Sequence, residues 1–371
     1  MNLRSLPRRE FVASLLSTCS LPWMLRAAEP DTAQREVPWL AEVQRPPRQL
    51  PANAPQLKPL LVDEHGEAIT TLEGWNRRRQ TLRKWWLDFL KPLEVKRTHP
   101  PRLEVVAEDR VGEVVRQLVR YEVEPGLTVE AYLLKPGRKG HRSPGVVVLH
   151  STSDDTIRQP AGVKGSPEKA FGLKLAKRGF VAICPCNYLW PDGQKIATKK
   201  AVADFQARHP GSTGMAKMLF DGVVALDILA SLPEVDPQRL GVVGHSLGAK
   251  EALYLAALDQ RVTAAVSSEG GIGTRFSNWE APWYLGDAVK AGLGHEHHEL
   301  LALVAPRPFL LLGGDSADGD QSWPFIEAVL PVYRLYGGPS RVGLFNHKKG
   351  HSVPPEAEQR IDDWFTAYCA R

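Results

Sequence analysis

The chain has 371 residues, of which 43% are hydrophobic and 24% charged, with a formal net charge of +5. That is ample apolar content for a sizeable core, and a length beyond ~150 residues still fits one large α/β domain. Four arginines against one glutamate in residues 1–28 hold most of the net charge, and no basic stripe with interleaved aromatics follows, so nucleic acid is excluded as an expected partner.

The N-terminal stretch LPRREFVASLLSTCSLPWMLRAA sets Arg8–Arg9 just before Phe11–Val12 and an apolar run too short to span a bilayer. It resembles a twin-arginine export signal over residues 1–28 and implies a periplasmic or extracellular destination. Ala27–Ala28 supply small residues at its end, although Arg26 breaks an A-x-A pattern. An uncleaved amphipathic N-terminus is the alternative, and Thr18 before Cys19 fits a lipoprotein site poorly. No later apolar segment approaches 18 residues, so no stable membrane span is expected. The four cysteines make no disulfide framework. Cys184 and Cys186, two apart on an apolar strand, are expected to face one side as buried thiols.

Residues 29–68 are proline-rich and aperiodic, which predicts an extended arm on the surface. A helix follows over TTLEGWNRRRQTLRKWWLDFL, with Thr70 and Glu73 as a capping box and Leu72, Trp75, Leu82, Trp86 and Phe89 at helical spacing. Its tryptophans, Trp75, Trp85 and Trp86, are read as packing rather than as ligand platforms. From 102 to 135 the apolar alternation predicts antiparallel strands with a turn at Pro125–Gly126. Beyond this, strands alternate with helices. The apolar run GVVVLH (145–150) is the first strand, and later ones are GFVAICPC, RLGVVGHS, VTAAVSSEGG, PFLLLGGD and RVGLFNH. Helices are expected near 167–178, 215–231, 248–258, 296–303, 324–336 and 355–369. Such alternation implies a mostly parallel central sheet with right-handed crossovers and flanking helices, one catalytic domain over 69–371.

Strand ends in such a sheet face one crevice, and four of them carry chemistry. Gly244-His245-Ser246-Leu247-Gly248 is a G-x-S-x-G between a β run and a helical run, the pattern of a nucleophile elbow that exposes Ser246 Oγ and sets the Leu247 N–H beside it. His351, about a hundred residues on, ends VGLFNHKKGH and suits a general base, following the order Ser…acid…His of the α/β-hydrolase fold. His347, earlier in the same loop, is its rival. Two acids compete to orient the base: Glu269 in SSEGG, and Asp318, with Asp315 and Asp320, after PFLLLGG. Ser151, in HST after the first parallel strand, is placed to give a second oxyanion N–H. His295, His297 and His298 raise a metal hypothesis, but only His295–His298 has helical ligand spacing, so neither a metal nor a cofactor is expected.

These residues resemble carbohydrate esterases of the glucuronoyl and acetylxylan esterase kind and the dienelactone-hydrolase-like proteins, over about residues 100–370. Lys250, four residues after Ser246, stands where glucuronoyl esterases have a sugar-contacting lysine. SSEGGIG resembles their acid-bearing segment, and SNWEAPWYL…HEHHELLALVAPRP their N-W…H-E-L-x-A-L motif. The resemblance implies that Lys250, Trp279 and His298 bind substrate or support the site, and it favours Glu269 over Asp318. One departure matters: Leu247 stands where glucuronoyl esterases carry an oxyanion-binding arginine. Lys250 also has a plainer reading, an ion pair with Glu269 or Glu251. The expected activity is a secreted serine carboxylic-ester hydrolase acting on a polysaccharide or small ester through an acyl-enzyme. A prolyl-oligopeptidase-like peptidase and an inactive carbohydrate-binding hydrolase scaffold are the alternatives.

Overall fold

The computed structural model describes residues 36–97, 99–137, 142–190, 198–290 and 292–370. The expected export signal, with Arg8, Arg9 and Cys19, lies outside them.

A nine-stranded sheet, in the order β1-β2-β3-β5-β4-β6-β7-β8-β9, organises the described chain. Strands β1 (Glu104–Val111), β2 (Val114–Glu124) and β3 (Leu127–Lys135) form an antiparallel meander, with the second hairpin turning at Pro125–Gly126. The sheet then becomes parallel through β4 (Ser143–Leu149), β5 (Val181–Pro185), β6 (Val235–His245), β7 (Val262–Ser268), β8 (Phe309–Gly313) and β9 (Val342–Asn346). Side chains alternate across the central strands with period two. Val147 and Leu149 of β4 join one core layer and Val146 and Val148 the other; Leu311 and Leu310 of β8 divide in the same way. Both faces are therefore buried, which is why these strands read as continuous apolar runs.

The described residues include eight α-helices: α1 (Leu72–Leu90), α2 (Phe171–Lys177), α3 (Thr198–Arg208), α4 (Gly214–Ser231), α5 (Leu247–Leu258), α6 (His298–Val304), α7 (Trp323–Arg334) and α8 (Pro355–Tyr368). Trp75, Leu82 and Trp86 bury one face of α1, and Trp86 Nε1 donates to Glu299 Oε2 at 3.1 Å.

Four local expectations are corrected. The cap of α1 is Thr71 rather than Thr70: its Oγ1 accepts the Gly74 N–H, while Glu73 turns outward to Arg77. Helix α3 is one that periodicity did not predict; only Ala201 and Phe205 are buried along it, too few for an apolar stripe. Cys184 and Cys186 face different core layers, because the chain leaves β5 at Pro185 before Cys186 is reached. Finally, residues 38–45 wind through successive turns instead of lying extended. Trp39 stacks on Trp364 of α8 at 5.7 Å, and the Val43 carbonyl accepts the Leu344 N–H, covering the exposed edge of β9. A side chain at Gly343 would collide with Val43, so that close approach requires glycine.

Candidate active site

The apolar run of β6 delivers Ser246 to a turn that only glycine neighbours permit. A Cβ at Gly244 would overlap the Gly248 carbonyl, and one at Gly248 the Leu149 carbonyl of β4. Ser246 sits at φ 58°, ψ −115°, a conformation that costs of order 1–3 kcal/mol and persists only where its surroundings impose it. Its N–H donates to the Ser268 carbonyl of β7 at 2.8 Å. Leu247 opens α5, so its N–H has no carbonyl one turn earlier to receive it.

Backbone bonds stitch the neighbouring strand ends together. The Glu269 N–H reaches Leu312 O at 2.9 Å, His347 N–H reaches Gly313 O at 2.8 Å, and Gly350 N–H reaches Gly314 O at 2.7 Å. Glu269 itself has a positive φ of 56° and a side chain with no solvent exposure. Its Oε2 accepts from Ala317 N at 2.8 Å and lies 3.2 Å from His351 Nδ1, and Oε1 accepts from Gly314 N. A carboxylate can only accept here, so Nδ1 of His351 carries the proton and Nε2 keeps its lone pair. His351 is 41% exposed and lines the same cavity as Ser246.

Asp318 is not the partner of His351. Its fully buried carboxylate accepts from Gly271 N at 2.7 Å, Ile272 N at 2.8 Å and Ser322 Oγ at 2.8 Å, bracing the loop that follows Glu269. Burial raises its pKa. His347 is likewise engaged locally, accepting from the Lys349 N–H at 3.2 Å. His245, beside Ser246, meets Ser268 Oγ at 3.0 Å and packs 4.7 Å from the His351 ring. Burial, with the Lys169 ammonium nearby, pushes the His245 pKa well below its ordinary value.

The cavity has a volume of about 240 Å³, and Lys250 occupies one wall. Neither suggested partner pairs with it: Glu269 is engaged as above, and Glu251 accepts from Asn187 at 3.0 Å. Instead Nζ lies 4.0 Å from the ring of Trp279 and 5.1 Å from that of Tyr284, with no hydrogen bond among the described residues. Desolvation pushes its pKa down to about 7, against the pull of Asp318 and Glu280. Trp279 is 1% exposed, and its Nε1 donates to Gly271 O at 2.7 Å, so it forms the cation's platform from behind the cavity wall.

The Ser151 hydroxyl is buried and donates to Gln159 at 2.7 Å, and Thr152 is the residue of HST that lines the cavity; neither bears on the backbone N–H expected of Ser151. One sequence assignment moves. His298 does not reach this cavity. Its Nε2 donates to Lys58 O at 3.0 Å, and its ring lines a separate one. The histidine that supports the site is His297, whose Nδ1 donates to Ile272 O at 2.7 Å while its Nε2 accepts from Tyr254 Oη at 2.8 Å. Its ring packs 4.3 Å from Trp279. Adjacent histidines on a helix start point in different directions, which the motif alone did not resolve. Trp190, Trp283 and Tyr284 complete the aromatic wall; Trp283 and Tyr284 fall within the SNWEAPWYL stretch, while Trp190 carried no sequence signal beyond being aromatic. Among the described residues no group of three or more His, Cys, Asp or Glu side chains could hold a metal ion.

Residues 129–286 match the family model of the Dienelactone hydrolase family, which covers less than half of the chain. The chain is 25% identical over 221 residues to YtaP of Bacillus subtilis, named as a hydrolase, covering 57% of this chain and 72% of that protein. Among solved structures it is similar to a glucuronoyl esterase from Solibacter usitatus, at 18% identity with a TM-score of 0.67, covering 85% of this chain and 99% of that one. An acetyl xylan esterase from Paenibacillus sp. R4 gives 18% identity and a TM-score of 0.52, covering 79% and 92%. The fold is that of the α/β-hydrolases.

Proposed function

We propose that this protein is an exported serine hydrolase that cleaves carboxylic esters on a xylan-type polysaccharide or its fragments. The observation that carries this reading is one constellation: Ser246 on a strained elbow, sharing a cavity with a His351 whose Nδ1 is held by buried Glu269. His351 Nε2 takes the Ser246 Oγ proton as the oxygen attacks the ester carbonyl. The oxyanion is received by the Leu247 N–H, with the Thr152 region as the second donor. His351 then protonates the leaving alcohol, and water, activated by the same nitrogen, releases the acid.

The substrate class rests on Lys250 and on the esterases named above. Lys250 lines the cavity, and its buried amine, held against two aromatic faces, has no hydrogen-bond partner among the described residues, so a sugar hydroxyl that reaches it would supply one. Leu247 leaves the oxyanion to backbone donors, and with Leu189 it gives the cavity apolar patches beside the serine. The Arg8–Arg9 segment supports export, and no helix of the described residues is long and apolar enough to cross a membrane. Ser246→Ala should abolish hydrolysis of p-nitrophenyl acetate and of acetylated xylan alike. Undiminished turnover by the purified variant would contradict the proposal.

A further inference from the structure

A second cavity, of about 420 Å³, lies away from Ser246. One wall is the 53–58 segment of the N-terminal arm, another is the loop 273–276, and α6 and Phe325 of α7 close it. The loop continues into Ser277 and Asn278, which line the catalytic cavity, so one short segment serves as a wall of both.

Its lining combines apolar faces with free hydrogen-bonding capacity. Phe276 and Phe325 meet edge to face at 5.7 Å, with Leu57 and Leu293 beside them. The ionisable groups at its base are satisfied locally: Glu296 accepts from the Thr274 hydroxyl at 2.6 Å, and His295 Nδ1 meets Glu299 at 2.7 Å. The side chains of Asn53, Gln56 and Arg275, by contrast, make no hydrogen bond or ion pair among the described residues and stand exposed at the rim. His298 is 2% exposed, with Nε2 donating to the Lys58 carbonyl at 3.0 Å and the Glu296 backbone also against its ring, so it pins the arm segment to the start of α6 behind the cavity wall.

We propose that this cavity is a saccharide subsite, holding sugar units of the polymer remote from the ester under attack. Its volume falls in the ~300–1,000 Å³ range of small-ligand sites. Aromatic faces receive the apolar C–H faces of a pyranose ring. The neutral amides of Asn53 and Gln56 and the Arg275 guanidinium match its ring of hydroxyls, each of which both donates and accepts. For the identity of the polymer this rests on the proposed function; the binding itself does not.

The test is calorimetric titration of xylotetraose into the protein after Ser246 has been phosphonylated, which blocks the catalytic cavity. Binding is expected to persist and to weaken about tenfold or more in Arg275→Ala and in Asn53→Trp, a loss of about 1.4 kcal/mol or more. Both positions are exposed, so the fold should tolerate the changes, and hydrolysis of p-nitrophenyl acetate by the unlabelled variants should be unchanged. Absent binding, or equal affinity in both variants, would overturn the subsite. Xylotetraose binding by unlabelled parent protein that turns over neither p-nitrophenyl acetate nor acetylated xylan would instead overturn the catalytic reading alone.

Discussion

Replacing Glu269 by glutamine tests the orienting acid at constant shape. Each carboxylate oxygen of Glu269 faces a donor: Oε1 the Gly314 N–H, Oε2 the Ala317 N–H and His351 Nδ1–H. An amide has one acceptor oxygen. With that oxygen toward Gly314, the NH₂ group confronts Ala317 and His351. The imidazole is then driven to the tautomer with its proton on Nε2, where the base needs a lone pair. With the oxygen toward His351, the NH₂ opposes the Gly314 N–H in a site with no solvent to relieve it. Either orientation also removes the charge that stabilises the imidazolium in the transition state. The expected loss in kcat/KM for p-nitrophenyl acetate is about 10²–10⁴, or about 3–5 kcal/mol of transition-state stabilisation. Asp318→Asn should lose no more than about tenfold, well below the level of a triad member. Its main effect should be a lower Tm, since it disturbs the bonds to Gly271, Ile272 and Ser322. Near-normal activity in Glu269→Gln together with a collapse in Asp318→Asn, measured as full pH–rate profiles on folded protein, would refute this assignment.

Lys250→Met should raise the KM for an acetylated xylo-oligosaccharide more than it changes turnover of p-nitrophenyl acetate, read as a KM-against-kcat split between the substrates. Because burial lowers the Lys250 pKa from 10.5 to about 7, the folded state binds its proton less readily than the unfolded chain. The resulting penalty is full below about pH 7 and fades as pH rises toward 10.5, and it is on the order of a few kcal/mol. Thermal melts should therefore find Lys250→Met most stabilised relative to the parent at pH 6, with the gap narrowing by pH 9. Ser246→Gly should be inactive yet more stable by ~1 kcal/mol, since glycine accepts φ 58° without strain, and denaturant titration would reveal it. Gly248→Ala should lose activity through displacement of the elbow from the Leu149 carbonyl, seen as a loss of fluorophosphonate labelling in folded protein.

The parallel sheet was legible because strands buried on both faces must be apolar throughout, as in GVVVLH and PFLLLGG. The elbow was legible for a related reason: its glycines answer to steric closure within five residues. What the chain order hid was direction. Glu269 and Asp318 both follow strands of the parallel sheet and both are buried, and only their partners distinguish the residue that faces His351 from the one that braces the Gly271–Ile272 backbone. His297 and His298 differ by one helical step, which sends one to Trp279 and the other to Lys58. The resemblance placed Lys250 and Trp279 at one site, but not the amine against the rings of Trp279 and Tyr284, which come from a segment some thirty residues further along the chain.

The central claim is that Ser246 is a nucleophile activated by His351. Fluorophosphonate labelling followed by peptide mass mapping tests it most directly. The account predicts a single adduct, on Ser246, whose rate of formation collapses in His351→Ala and slows markedly in Glu269→Gln. An adduct elsewhere, or labelling of Ser246 at an undiminished rate in folded His351→Ala protein, would contradict it.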